Sequence, residues 1–329
     1  MSDRELLERL RARIGAAGDL EVARDPVNQA MIRHWCDAMD DGNPVYTDPD
    51  TAAASVHGGI VAPPAMLNAW TMPGLPGRPE RPDDPSGAVY RDLDAAGYTS
   101  VVATDSEHEY ARYLRLGDLV HGRSVVEDVS PEKETALGIG HFVTTVTDYT
   151  DARGEALGRM RFRILEFRPG TGRAPDAGGG AADVRRDLPV RAARTERTRR
   201  PEDVPVGEVL PPCTVHVTPT LIVAGAIASR DYQDVHHDRD LAIARGSRDI
   251  FMNILTTNGI SARWITDWAG PEARLHALRI RLGAPNHPGD AMVLEGSVTA
   301  CEQGRVTVGF SGTNALGPHV TGSVELSLA

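Results

Sequence analysis

Two distant stretches of the chain repeat one pattern, and a repeat of this size constrains the fold more than any single motif. "RDPVNQAMIRHWCDAMDDGNPVYTD", residues 24–48, parallels "VTPTLIVAGAIASRDYQDVHHD", residues 217–238. In both, a capping residue (Asp25, Thr218) precedes a proline (Pro26, Pro219), which predicts the start of a helix. The helix runs into a polar loop in which Asp41 to Tyr46 aligns with Asp231 to His236, the aspartate and the ring residue equally spaced in each. Downstream, "PAMLNAWTM" and "NILTTNGISARWITDWAG" read as helices, followed by strands that meet at Gly117-Asp118 and Gly289-Asp290. Alternating runs such as "AMVLEGSVTA" and "RVTVGFSGTNA" then close the second copy with the pattern of antiparallel hairpins. The expectation is an α+β chain made of two similar units, each with one principal helix against a curved antiparallel sheet. The first copy carries an extra stretch rich in Pro and Gly, "PGLPGRPERPDDPSGAVYRDLDAAGYTS", expected to be a loop over the sheet or a substrate opening.

Composition sets the limits around this pattern. Between Arg168 and Pro212 the chain is dense in Gly, Pro, Ala and charge, which predicts an exposed linker over 170–212 between domains at 1–169 and 213–329. Its arginines, Arg185 to Arg200, are expected to form a solvated tether rather than a phosphate site. Three separated cysteines, Cys36, Cys213 and Cys301, suggest neither a disulfide framework nor a zinc knuckle. A net charge of −11 argues against a general nucleic-acid partner. No apolar run approaches the length of a membrane span, and the first residues lack the uninterrupted apolar stretch of a signal peptide, so a cytoplasmic protein is expected.

The loop "DYQDVHHD" holds the chemistry. A metal site at His236, His237 and Asp238 is disfavoured, because adjacent histidines in extended chain diverge. Asp231 and His236 form a candidate acid/base pair, while a hydrogen-bonded surface histidine is the bland alternative. Asp41 with Tyr46 fits local capping better than a substrate-lining remnant, and Asp290 fits a hairpin turn. Trp70, Leu255, Ile260 and Trp264 fit core packing before acyl contact.

Helix, Asp-x-x-x-x-His loop, long apolar helix and an antiparallel run together resemble the MaoC-like enoyl-CoA hydratases, also called hydratase 2. Their usual loop reads Asp-x-Asn-Pro-(Ile/Val)-His. The second copy keeps Asp231, Val235 and His236 but has Gln233 and Asp234 in place of Asn and Pro. The first keeps Asp41, Asn43 and Pro44 and has Tyr46 at the histidine position. More narrowly, "GGIVAPPAMLNAWTM" and "DYQDVHHDRDLAIARGSRDIFMNILTTNG" resemble the two unlike subunits of the heteromeric hydratase of bacterial steroid side-chain degradation, here joined end to end.

The resemblance implies a double hotdog fold with a degenerate, acyl-binding first half and a catalytic second half. It assigns catalysis to Asp231 and His236, which would share one water in a syn addition giving a (3R)-3-hydroxyacyl thioester, or run the reverse dehydration. It places Asn253 at the start of the central helix, where a family glycine supplies an oxyanion donor, and Gln233 beside the substrate. A bulky acyl group, no metal, no cofactor and a homodimer are expected. Rival readings are a dehydratase acting on acyl carrier protein in polyketide assembly, a non-catalytic acyl-thioester scaffold and a thioesterase.

Overall fold

The structure, a computed structural model, describes residues 3–75, 84–172 and 192–328. In the first half it runs α1 (Asp3–Arg11), β1 (Ala17–Val22), α2 (Gln29–Met39), α3 (Pro44–Thr47), α4 (Pro49–Ala54), a 3-10 helix (Pro64–Thr71) and α5 (Pro85–Ala95). Strands β2 (Ser100–Tyr110), β3 (His121–Val129), β4 (Lys133–Glu134), β5 (Ile139–Thr150) and β6 (Ala156–Phe167) follow. The second half comprises β7 (Cys213–His216), α6 (Pro219–Ala228), α7 (Arg239–Ala244), α8 (Ile254–Ala269), β8 (Arg274–Leu282), β9 (Ala291–Glu302), β10 (Arg305–Asn314) and β11 (Gly317–Ser327).

The strands form one antiparallel sheet in the order β1-β3-β5-β6-β2-β8-β11-β10-β9-β7, with β4 added to β5. Read outward from its middle, the order is the same on both sides: β2, β6, β5, β3, β1 matches β8, β11, β10, β9, β7. The duplication in the sequence is thus a duplication of topology. The halves join where β2 pairs with β8, from Asp105↔Arg281 to Glu109↔Ala277. Each half would otherwise expose a strand edge there, so pairing removes two liabilities at once. The fold is a double hotdog.

Alternation explains which face each strand buries. Along β10, Val306, Val308 and Phe310 are buried and their neighbours are not. They pack under α8, all sixteen residues of which are buried, as an apolar-rich helix wrapped by a sheet must be. Asn253 caps α8 by accepting from Thr256 N–H at 2.8 Å.

The first half departs from the expected equivalence at its centre. Its counterpart of α8 is the 3-10 helix, eight residues between Pro63-Pro64 and Pro73. Prolines at both ends leave no room for a longer helix, because the residue before a proline is driven out of helical geometry. The stretch expected to be a loop contains α5, which packs with α1 on β1 and β3 around Leu6, Leu10, Val89 and Leu93. The start of α2 also differs: Asn28, not Asp25, caps it, accepting from Met31 N–H, so Pro26 lies before the helix. In the second half Thr218 caps α6 and Pro219 opens it, as the sequence predicts.

The tether is folded over its described part. Residues 192–212 run along the second half: Thr195 N–H donates to Asp267 O, Arg199 N–H to Ala269 O, and Val204 and Leu210 are buried. Arg199 bonds Glu208 and stacks over Trp268. The solvated-arginine expectation fails for Arg194 and Arg199, which carboxylates within reach hold, and stands for Arg197 and Arg200, which are exposed; Arg185 lies outside the described residues.

Candidate active site

The loop geometry begins at the end of α6. Arg230 takes a left-handed conformation (φ 59°) and Asp231 N–H returns to Ala226 O at 2.9 Å, so the chain reverses just ahead of the aspartate. The first half has the same turn: Asp40 at φ 52° and Asp41 N–H on Cys36 O at 2.8 Å. A one-turn 3-10 helix, Asp234–His236, then swings His236 back over Asp231. Five residues of sequence thereby become a contact: His236 Nε2 lies 3.5 Å from Asp231 Oδ2, both side chains buried.

Each member is held by a neighbour, His236 by the Phe251 carbonyl and Asp231 by the Asn253 side chain. His236 Nδ1 lies 2.7 Å from Phe251 O, and Phe251 packs edge-on against the imidazole. A carbonyl only accepts, so the ring proton sits on Nδ1 and the lone pair of Nε2 faces Asp231. Asn253 Nδ2 donates to Asp231 Oδ2 and to Ser229 Oγ, both at 3.0 Å. Burial pushes the His236 pKa below its ordinary value, against the upward pull of Asp231. A neutral imidazole and a carboxylate are both acceptors at this spot. A water molecule, with two O–H groups, is the donor that suits them.

The remaining sequence candidates sort by exposure and bonding. Gln233 is exposed and meets the pair through its backbone N–H, 3.4 Å from Asp231 Oδ1. Asn253 stands at the head of α8, but its side chain is engaged with Asp231, Ser229 and Thr256, so its amide is a positioning group for the carboxylate. Helix geometry leaves the first backbone N–H groups of α8 without intrahelical acceptors, and the Asn253 side chain caps only that of Thr256. His237 is exposed, and among the described residues no three His, Cys, Asp or Glu side chains gather in a metal-binding arrangement. Asp290 accepts from His287 N–H and pairs with Arg248 in its turn.

In the first half the equivalent place is sealed. Arg194, from the tether, reaches in and bridges Asp41 Oδ1 at 3.0 Å and Asp267 Oδ1 at 2.5 Å. Asp41 also accepts from Asn43 N–H, and Tyr46 is fully buried. Burial raises the Asp41 carboxyl pKa in spite of Arg194, and it drives the Tyr46 phenol well above its ordinary value. The capping reading of Asp41 is therefore incomplete: it is one corner of a buried ion-pair triad. Nothing in the spacing of Arg194 announces a partner so far away in sequence.

The family described as "FAS1-like, dehydratase domain region" matches residues 13–160. A 3-oxo-4,17-pregnadiene-20-carboxyl-CoA hydratase beta subunit of Mycobacterium tuberculosis is 52% identical over 123 residues, 37% of this chain and 95% of that subunit. A probable enoyl-CoA hydratase alpha subunit of Thermomonospora curvata is 45% identical over 174 residues, 51% of this chain; the chain spans only 54% of that subunit's length. Among solved structures, a MaoC-like dehydratase superposes with a TM-score of 0.72 at 20% identity, over 97% of this chain and all of the other. From this fold, this loop and these relatives, the chain belongs to the MaoC-like enoyl-CoA hydratase family.

Proposed function

We propose that the protein hydrates trans-2-enoyl-CoA thioesters to (3R)-3-hydroxyacyl-CoA, or dehydrates them in reverse, with 213–329 as the catalytic domain and 1–169 as an acyl-binding one. The observation that carries this reading is the buried Asp231–His236 pair at 3.5 Å, oriented by Asn253 and Phe251 at the head of α8.

The chemistry follows from that geometry. Water held between Nε2 and the carboxylate gives up a proton as its oxygen bonds to the β-carbon. The same pair returns a proton to the α-carbon, so both additions occur on one face. The two protons belong to the pair jointly. Charge that builds on the thioester oxygen meets the unpaired N–H groups at the start of α8. Gln233 lies at the exposed side of the loop, where a substrate would pass.

CoA as carrier is supported by the names of the relatives, which are CoA hydratase subunits. A bulky acyl group is supported by the pregnadiene-carboxyl-CoA specificity in the name of one of them. Matches to both an alpha and a beta subunit support the reading of two fused halves. A homodimer draws support from the two outer edges, β1 and β7, of which β1 exposes Leu20 and Val22. Among the described residues no helix is long and apolar enough to cross a membrane, which fits a cytoplasmic site of action.

The test is loss of enoyl absorbance with crotonyl-CoA and with a ring-bearing enoyl-CoA. Asp231→Asn and His236→Ala are each expected to lower kcat about 10²- to 10⁴-fold, with unchanged circular dichroism. Wild-type turnover in either variant rejects the assignment, and a preference for crotonyl-CoA rejects the bulky substrate. Equal turnover of a carrier-protein thioester would favour the polyketide reading.

A further inference from the structure

The residues that lead into α8, Ile250 to Asn253, are gripped from two loops. On one side His236 Nδ1 donates to Phe251 O at 2.7 Å, and Phe251 N–H donates to Val235 O at 3.1 Å. On the other, in the turn between β8 and β9, His287 Nδ1 donates to Ile250 O at 2.9 Å while Asn286 O accepts from Met252 N–H at 3.0 Å. Two imidazoles thus hold neighbouring carbonyls, each with a proton fixed on Nδ1 because a carbonyl only accepts. The Phe251 ring meets both at 81°, its centroid 5.0 Å from that of His236 and 6.2 Å from that of His287.

The turn that carries His287 is itself pinned. Asn314, at the end of β10, donates to Pro285 O at 3.0 Å and to Asn286 Oδ1 at 2.8 Å, and Asp290 accepts from His287 N–H at 2.7 Å. His287 is only 4% exposed, although turns ordinarily run over the surface.

The first half supplies an internal control. Its corresponding backbone makes the same bonds: Val61 N–H to Val45 O, Ala62 N–H to Leu114 O, and Arg115 N–H to Asp118 Oδ2. The side chains differ. Tyr46, Val61 and an exposed Arg115 stand where the second half has His236, Phe251 and His287. The frame closes equally well without a histidine, and burying an imidazole costs it hydration, so the turn alone gives no reason to place one there. What the second half has and the first lacks is another imidazole to aim.

We infer that His287 is a positioning residue for the hydration step, fixing through Ile250 and Phe251 the carbonyl that orients His236. The inference rests on the hydratase reading. Bonds on adjacent peptide units stop the segment from pivoting. If it pivots, Phe251 O leaves the line of His236 Nδ1, the ring exchanges its proton between nitrogens, and Nε2 turns away from Asp231. The same segment ends in Asn253, which holds that carboxylate. Displacing reacting groups by about 1 Å costs on the order of 10²-fold in rate, so a residue that touches neither member of the pair can still govern turnover.

The test uses the full chain and enoyl-CoA hydration at neutral pH. His287→Leu removes both donor and ring, and His287→Phe keeps a ring beside Phe251 without the donor. Both are expected to lower kcat about 10- to 100-fold with KM within about twofold of wild type. His287→Asn, whose Nδ2 stands close to the place of the imidazole Nδ1, is expected to restore kcat to within about threefold. Nitrogen NMR of chains with isotope-labelled histidine reads the cause, the His236 signals being identified by their loss in His236→Ala. Wild type is expected to show a protonated Nδ1 and a bare Nε2, and the Leu and Phe variants a mixture of tautomers. A packing role alone would lower Tm and leave those signals unchanged. Wild-type kcat in either variant, an Asn variant no better than Leu, or unchanged His236 signals overturns the inference. Should the Leu variant fail to fold, the Phe variant decides. If no enoyl-CoA is hydrated, the hydratase reading fails separately, and the tautomer measurement alone decides for His287.

Discussion

At the scale of single residues, the catalysis proposed for Asp231 and His236 depends on keeping an imidazole uncharged. Burial lowers the His236 pKa, and the Nδ1–H to Phe251 O bond leaves Nε2 as a base. Activity that needs the neutral ring is present above the folded pKa and lost below it. The acid limb of kcat/KM is therefore expected below pH 6.5, the ordinary value for histidine; a limb above 6.5 would mean that Asp231 outweighs burial. Asp231 and His236 were legible because their spacing follows a family pattern within one short loop. Asn253 was legible in place but not in role, since its bonds to Asp231 and Ser229 join side chains more than twenty positions apart. Ser229, the Phe251 carbonyl and the His287–Ile250 contact carried no local signal at all, because only the fold brings them together.

At the scale of elements, the repeat was readable wherever local rules dominate. The helix-to-loop turns at Asp40-Asp41 and Arg230-Asp231, the Gly-Asp turns and the four alternating strands of the second half all obey short-range chemistry. The apolar content of 64–71 signals a helix but not its 3-10 form, which the flanking prolines impose, and Pro and Gly around α5 hide a helical core of Val89 and Leu93. The tether departs from a solvated linker at Arg194. That guanidinium answers two buried carboxylates, and removing it leaves both uncompensated. Arg194→Met is expected to cost about 3–5 kcal/mol in urea denaturation, whereas replacing all three members by apolar or amide groups of similar volume is expected to cost far less. A cost under about 1 kcal/mol for the single change would place the bridge in well-screened surroundings.

For the whole molecule, two deeply buried histidines link stability to pH. Burial holds His108 and His319 at about 4, while the unfolded chain titrates near the ordinary value of 6.5. Their neutral forms are fully tolerated above 6.5, and between there and about 4 the unfolded state binds the extra protons. Stability is expected to fall on acidification through that window, by about 2 kcal/mol per histidine between pH 6.5 and 5. Urea midpoints measured at pH 7 and 5 check this, and His108→Phe should remove part of the slope. A midpoint unchanged between these two pH values would show that the imidazoles are hydrated.

The β2–β8 seam has a consequence for how such a protein can change. The proposed chemistry sits on one side of the join and the proposed acyl-binding half on the other, yet both are carried by a single sheet and a single chain. Under that reading, substitutions in β2, β5 and β6 can reshape what is accepted while the Asp231–His236 loop is left alone. Because the partners are covalently matched, neither half can drift into pairing with a foreign counterpart, and new specificities can be tried without risking the old turnover.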